Sequence, residues 1–209
     1  MLDRVRCAAR AGVDFIQLRE KDLSSRALEQ LAGGAMQIVQ AARQAHGSRT
    51  RLLINSRIDV TIACGADGVH LQSSAAGEIS AADARAIFDT AGVARPVIAV
   101  SCHTEREVLL AESEGADFVV YGPIFEKDGR VASGLSELAR IARRQPASMP
   151  ILALGGITQL NAAEAITAGA AGVAGIRLFQ QGDMADIVER LRRLQNGSPQ
   201  RRRDTEKKF

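Results

Sequence analysis

Four segments of this chain repeat one short pattern at a nearly constant spacing. AGVDFI (11–16), GADGVHL (65–71), GADFVVYG (115–122) and GAAGVAGI (169–176) each pass from a glycine into an apolar, β-rich run. Their glycines, Gly12, Gly65, Gly115 and Gly169, stand 53, 50 and 54 residues apart. A glycine at such a point suits the left-handed position that stops a helix. Three more apolar runs lie between them: RLLIN (51–55), PVIAVS (96–101) and PILALGG (150–156). Two of these open with proline, which a strand tolerates at its first residue.

Strands therefore alternate with helices at about 25 residues per unit. They are short, continuous and apolar, as in a parallel sheet covered on both faces. The pattern predicts strands at 14–20, 51–55, 68–72, 97–102, 118–124, 151–156 and 172–178. Thr104-Glu105-Arg106-Glu107 reads as a capping box, and Ser80, Thr158 and Asp183 as further N-caps. Units of this size predict an α/β fold, a TIM-type (β/α)8 barrel. A doubly wound open sheet is the alternative. Every quarter except the first has a strand ahead of its glycine-initiated strand. The barrel is thus expected to lack its first strand, through either an upstream start or an incomplete barrel.

Charge separates the barrel from its end. The chain has 27 basic and 24 acidic residues, and its last nine, RRRDTEKKF, carry the whole net charge of +3. We expect a barrel domain over 1–196 and a basic, disordered tail over 197–209. Six Phe, one Tyr and no Trp leave little for stacking on bases, so nucleic acid is not an expected partner. No apolar run reaches membrane-spanning length, and Arg4, Arg6 and Arg10 occupy a start without the apolar stretch of a secretory signal. Cys7, Cys64 and Cys102 form no CxxC pair, which fits a reducing, cytoplasmic setting. An open barrel edge is compatible with a homodimer.

In a barrel the chemistry lies at the carboxyl ends of the strands. Period two puts Gln17, Arg19 and Lys21 on one face of the first strand. Two readings stay open there: an anionic ligand, or an internal ion pair between Arg19 and a glutamate. Asn55 offers a donor and an acceptor, or is a turn residue. Ser101-Cys102-His103 ends the fourth strand, and His103 falls between a strand end and a helix start, a place for a general acid/base. Cys102 points away from it if the strand continues, which argues against a thiol–imidazole pair. Gly122 to Arg130 reads as a glycine-rich lid. Gly155 and Gly156 after the sixth strand, with Ile176 and Arg177 after the seventh, are expected to hold a phosphate. No His/Cys/Asp/Glu cluster has metal-ligand spacing, and no nucleotide-binding glycine loop appears.

Taken in order, GVDFIQLREK (12–21), LLINSRIDVTIACGADGVHLQ (52–72), VSCHTEREVLLAESEGADFVVYGPIF (100–125), LALGGI (152–157) and AGAAGVAGI (168–176) resemble the thiamine phosphate synthase / TenI family of (β/α)8 barrels. That family normally opens with a strand of the type L-x-x-I-T-D, absent here. The resemblance implies that Gln17 to Lys21 grip a diphosphate, and that Asn55, Ser101 and Arg130 also face the substrate. The synthase branch joins a pyrimidine diphosphate to a thiazole phosphate with Mg²⁺ held by two aspartates. Here Ser56 stands at the first, and the stretch His70-Leu71-Gln72-Ser73-Ser74-Ala75 lacks the second. The family's lid, GPxFxTxTK, reads GPIFEKDGR, without either Thr and with Arg130 in place of the Lys. Arg177 stands where the family has a serine. Mg²⁺ needs hard oxygen ligands, so the missing carboxylates favour the TenI branch, a thiazole tautomerase without a metal cofactor. In that branch His103 would move the proton. The alternatives are a divergent synthase, which alone would call for Mg²⁺, and a non-catalytic regulator that binds a thiazole phosphate.

Overall fold

The computed structural model describes residues 1–76, 79–126, 132–144, 149–180 and 182–196. They group into two compact units.

The first unit comprises Met1–Val100 with Glu114–Ala116. It runs α1 (Leu2–Ala11), β1 (Phe15–Leu18), α2 (Ser25–His46), β2 (Arg51–Asn55), α3 (Ile58–Cys64), β3 (Gly68–Leu71), a 3-10 turn at Ser74–Ala76, α4 (Ala81–Thr90) and β4 (Val97–Cys102), whose last two residues open the second unit. β1 pairs in parallel with β2, β2 with β3, and β3 with β4.

The long helix α2 shows how sequence produces this layer. Ser24 caps it, its hydroxyl accepting from Ala27 N–H, and Gly47 ends it at φ 63. Leu28, Ala32, Ala35, Met36, Val39 and Ala42 recur at helical spacing and are all buried. Four of the six are Ala or Val, so α2 can approach closely and bury Val5 and Ala9 of α1 together with Leu18, Leu52 and Ile54 of the strands. Those strand residues share one face. Period two therefore sends Gln17, Leu53 and Asn55 to the opposite face.

A polar tie fixes the start of β2. Arg43 donates to Asp67 Oδ2 at 2.6 Å and to the Thr50 carbonyl at 2.7 Å, while Leu52 N–H donates to the same Asp67 oxygen at 2.7 Å. α1 and α3 stop at Gly12 and Gly65, both left-handed, as the repeat requires.

The second unit comprises Ser101–Ser113 and Asp117–Phe209. Within it run α5 (Glu105–Ser113), β5 (Phe118–Tyr121), α6 (Gly134–Arg144), β6 (Ile151–Ala153), α7 (Ala162–Thr167), β7 (Gly172–Val173), a 3-10 turn at Arg177–Gln180 and α8 (Met184–Asn196). β5 pairs in parallel with β6, and β6 with β7. The capping box forms as expected: Glu107 N–H donates to Thr104 Oγ1 at 3.3 Å, and Glu107 Oε2 accepts from Thr104 N–H at 3.1 Å. Ser80 caps α4, and Asp183 Oδ1 accepts from the amides of Ala185 and Asp186.

Several expected strands are shorter than the sequence pattern suggests. β1 stops at Leu18, so Arg19 and Lys21 lie beyond the strand whose alternation was expected to align them with Gln17; β3 stops at Leu71, β5 at Tyr121, β6 at Ala153 and β7 at Val173. Gly155 leaves the extended region at φ 96, and Arg177 opens a 3-10 turn where a strand residue was expected. Thr158 does not cap α7. Asn161 precedes that helix, and the Thr158 hydroxyl accepts from Leu160 and Asn161 N–H three residues earlier than a cap would stand. No helix among the described residues is long and apolar enough to cross a membrane. The expected tail at 197–209 and the lid residue Arg130 lie outside the described residues.

Candidate active site

In the first unit the polar groups gather at the carboxyl ends of β1, β2 and β3. Gln17 Nε2 donates to Asn55 Oδ1 at 2.9 Å. Asn55 in turn donates through Nδ2 to Ser56 Oγ at 3.3 Å. Asn55 is the register partner of His70, and Ser56 N–H donates to the His70 carbonyl at 3.0 Å. The four residues thus form one connected patch on the face away from the α2 core. Asn55 is not a turn residue, since it closes β2.

His70 is 7% exposed. Burial, helped by the positive charge of Arg19, pushes its pKa down to about 4, so the imidazole is neutral near pH 7. Arg19 and Lys21 form no ion pair among the described residues, which removes the internal Arg19–Glu pair from consideration there. Arg57 is different. It donates to both oxygens of Asp59, at 2.8 and 2.5 Å, and to Ser25 Oγ at 3.0 Å. The guanidinium holds the Asp59 carboxyl below the usual carboxylate range, so this pair is a local clamp at the start of α3.

The same region offers a poor seat for Mg²⁺. Ser56 Oγ already accepts from Asn55, and Ser73 Oγ accepts from Ala75 N–H at 3.3 Å. Ser74 Oγ donates to Glu114 Oε1 at 2.6 Å, and Glu114 Oε2 accepts from Ala81 N–H at the start of α4. Among the described residues, the carboxylate that reaches this loop is therefore engaged. No group of three His, Cys, Asp or Glu among the described residues is arranged to hold a metal ion. Hydroxyls and amides without a carboxylate do not make the hard, anionic donor set that Mg²⁺ takes from a protein.

In the second unit His103 is exposed while Cys102 beside it is buried, so the two side chains diverge as the strand period requires. His103 Nδ1 lies 2.5 Å from the Gly122 carbonyl oxygen. A carbonyl only accepts, so Nδ1 donates to it, and the proton that the ring can take up or release is the one at Nε2. The backbone is fixed alongside. His103 and Thr104 N–H both donate to Glu107 Oε2, and Gly122 N–H donates to the Cys102 carbonyl at 3.1 Å. Ser101 precedes this turn, half-buried.

Gly155 and Gly156 have a packing reason for lacking side chains. A Cβ on Gly155 would come 2.5 Å from Pro123, and one on Gly156 2.7 Å from the Cβ of Phe125. The two loops are joined by Ile124 N–H to the Leu154 carbonyl at 2.8 Å and Phe125 N–H to the Gly155 carbonyl at 3.1 Å. Asn161 braces the glycine turn from the other side, accepting from Thr158 N–H at 2.7 Å and donating to the Gly156 carbonyl at 3.0 Å. The amides of Gly156 and Ile157 have no partner among the described residues. Ile176 is 71% exposed after β7, and Arg177 begins the following 3-10 turn.

Sequence reasoning missed the parts played by His70 and Ser56. The signal available was the parallel register: Asn55 at the end of β2 and His70 one residue before the end of β3, both at inward positions of a period-two pattern.

Comparison with known proteins agrees with this fold. Residues 1–179 match the family model described as thiamine monophosphate synthase. A putative thiamine-phosphate synthase of Geobacter sulfurreducens is 38% identical over 208 residues, covering 98% of this chain and 90% of the relative. A thiamine-phosphate synthase of Methanoculleus marisnigri is 36% identical, covering 91% and 85%. The solved thiamine phosphate pyrophosphorylase of Pyrococcus furiosus superposes with a TM-score of 0.77 at 28% identity, over 93% of this chain and 89% of that one. A dihydrodipicolinate synthase of Aquifex aeolicus, 13% identical with a TM-score of 0.61, shares the fold alone. The architecture is the TIM-type α/β fold with seven strands, and the chain belongs to the thiamine monophosphate synthase family.

Proposed function

We propose that this protein is a transferase of thiamine biosynthesis, joining a pyrimidine diphosphate to a thiazole phosphate. The observation that carries the reading is the pair of cations at the end of β1. Arg19 and Lys21 have no acidic partner among the described residues, and the charge of Arg19 is felt at His70 in the neutral patch of Gln17, Asn55, Ser56 and His70. Unpaired cations beside uncharged donors suit a polyanion. The names of the relatives and of the solved neighbour support the same activity.

In the reaction the bond from the pyrimidine methylene to the diphosphate breaks, and its electron pair leaves with the diphosphate. The thiazole nitrogen supplies the pair for the new C–N bond, and no proton is lost. Arg19 and Lys21 stabilise the charge that develops on the leaving group, and Gln17 and Asn55 orient the substrate. Gly155, Gly156 and Ile176 hold the thiazole phosphate through backbone amides, with Arg177 and Arg130 adding charge, and Ser101 faces the substrate. No step is assigned to Mg²⁺, because the residues present do not fit it.

A thiazole tautomerase is the second reading, favoured by the fixed tautomer of His103 and the absent carboxylates. Sequence alone ranks it first, and the relatives' names reverse that order. Purified protein supplied with both substrates decides: thiamine phosphate accumulating in step with diphosphate supports the transferase. Isomerisation of a thiazole carboxylate phosphate without thiamine phosphate overturns it in favour of the second reading. Binding without either reaction leaves a ligand-binding role.

A further inference from the structure

We propose that the β1–β3 strand ends of the first unit bind a diphosphate directly on side chains, without a divalent cation, and that Ser56 is the residue that decides this. The inference rests on the transferase reading for the identity of the anion.

Ser56 is one of two residues other than glycine at positive φ among the described residues, standing at φ 56. Left-handed backbone is uncommon for a serine, and such outliers persist where the surroundings hold them. Here the holding contacts are visible. The Ser56 amide is bound to the His70 carbonyl, and its hydroxyl oxygen accepts from Asn55 Nδ2. Asn55 is in turn fixed by Gln17. The chain of donors runs one way, from Gln17 through Asn55 to Ser56. A hydroxyl that accepts at its oxygen keeps its proton to donate. The relay therefore ends in an O–H donor, the group an anionic oxygen takes, whereas a carboxylate at this position could only accept.

The charge around the relay points the same way. Arg19 and Lys21 have no carboxylate partner among the described residues. Of the nearby carboxylates, Asp59 is held by Arg57 and Glu114 by Ser74 and the Ala81 amide, while Glu20 and Asp22 alternate in sequence with the two cations. His70, buried among them, adds no charge. The cation shown to act on the patch is Arg19, whose charge is felt at His70, and a positive charge beside uncharged donors disfavours a metal ion and favours an anion.

The test is calorimetric titration of the whole protein with inorganic pyrophosphate, in EDTA and then in excess Mg²⁺, with thiamine phosphate formation scored separately. Binding in EDTA that stays within about twofold of the free-pyrophosphate affinity in Mg²⁺ supports the proposal. Ser56→Asp should weaken binding in EDTA by at least about tenfold, because it places a negative charge facing the anion. Ser56→Asn, the same shape without the charge, should stay near wild type, and circular dichroism confirms that both fold. Pyrophosphate binding that requires Mg²⁺ overturns the proposal, as does Ser56→Asp binding like wild type in EDTA. Metal-free pyrophosphate binding without thiamine phosphate formation would sustain the site and sink the transferase reading. Thiamine phosphate formation that depends on Mg²⁺ for pyrophosphate binding would do the reverse.

Discussion

The Nδ1 of His103 donates to the Gly122 carbonyl across 2.5 Å, which joins the turn after β4 to the end of β5 and sets the imidazole tautomer. His103→Asn retains a donor near Nδ1 and loses the base at Nε2. Thiamine phosphate formation is expected to stay within about tenfold of wild type, because that reaction releases no proton for a base to take. Any thiazole tautomerisation should fall by about 100-fold or more, the usual contribution of a positioned general base. Parallel rate measurements on the two substrates check both statements.

His70 gives the fold a pH dependence. Its folded pKa lies near 4 against an ordinary value of 6.5, so below pH 6.5 the unfolded chain binds a proton that the native chain refuses. Stability from this group is fully present above pH 6.5 and is lost as pH falls through the window down to about 4. The loss amounts to about 3 kcal/mol across that window, from 1.36 kcal/mol per pKa unit. Urea midpoints measured between pH 4 and pH 7 should show this slope in wild type and a shallower one in His70→Gln.

The Arg43–Asp67 tie predicts a stability cost with little effect on ligand binding. Asp67→Asn removes a charge-assisted acceptor shared by Arg43 and the Leu52 amide, with the Arg43 and Asp67 side chains both only partly exposed. The expected loss is about 1–3 kcal/mol. Arg43→Met together with Asp67→Asn should cost less than the sum of the single changes. Pyrophosphate titration should be unchanged in each variant that folds.

Gly156→Ala tests whether the glycine turn is shaped by packing. The new methyl would lie 2.7 Å from the Cβ of Phe125, at a backbone φ of 62 that alanine resists. A loss of about 1–3 kcal/mol is expected in thermal unfolding. Affinity for inorganic phosphate should fall as well, since Gly156 N–H is one of the three amides assigned to the ligand.

Much of the architecture was legible because it is written in periodicities. The glycine repeat marked Gly12 and Gly65 as helix stops, and the apolar runs marked every strand start to within a residue. Strand ends were not legible. Leu154 to Gly156 carries the same apolar and glycine composition as β6, and only contact with Tyr121, Pro123 and Phe125 turns it into a loop. Likewise Arg177 sits in a run that reads as strand until the 3-10 turn is seen. At the site, Gln17 was legible from alternation and Asn55 only as a strand-end residue that could equally have been a turn, and the structure brings them into contact. His70 and Ser56 were not, because burial beside a cation and a left-handed backbone arise from neighbours distant in sequence.

Asp67 also governs which lengths of chain this fold accepts. One carboxylate oxygen takes both the last turn of α2, through Arg43, and the second residue of β2, through Leu52. One residue inserted between Gly47 and Thr50, with that anchor kept, shifts the phase of β2 by one. Leu52 and Ile54 would then leave the α2 core for the face of Gln17, and Asn55 would turn toward the helix. Natural insertions and deletions in relatives that keep this acid–arginine pair should therefore avoid this turn and collect where no such anchor counts the residues.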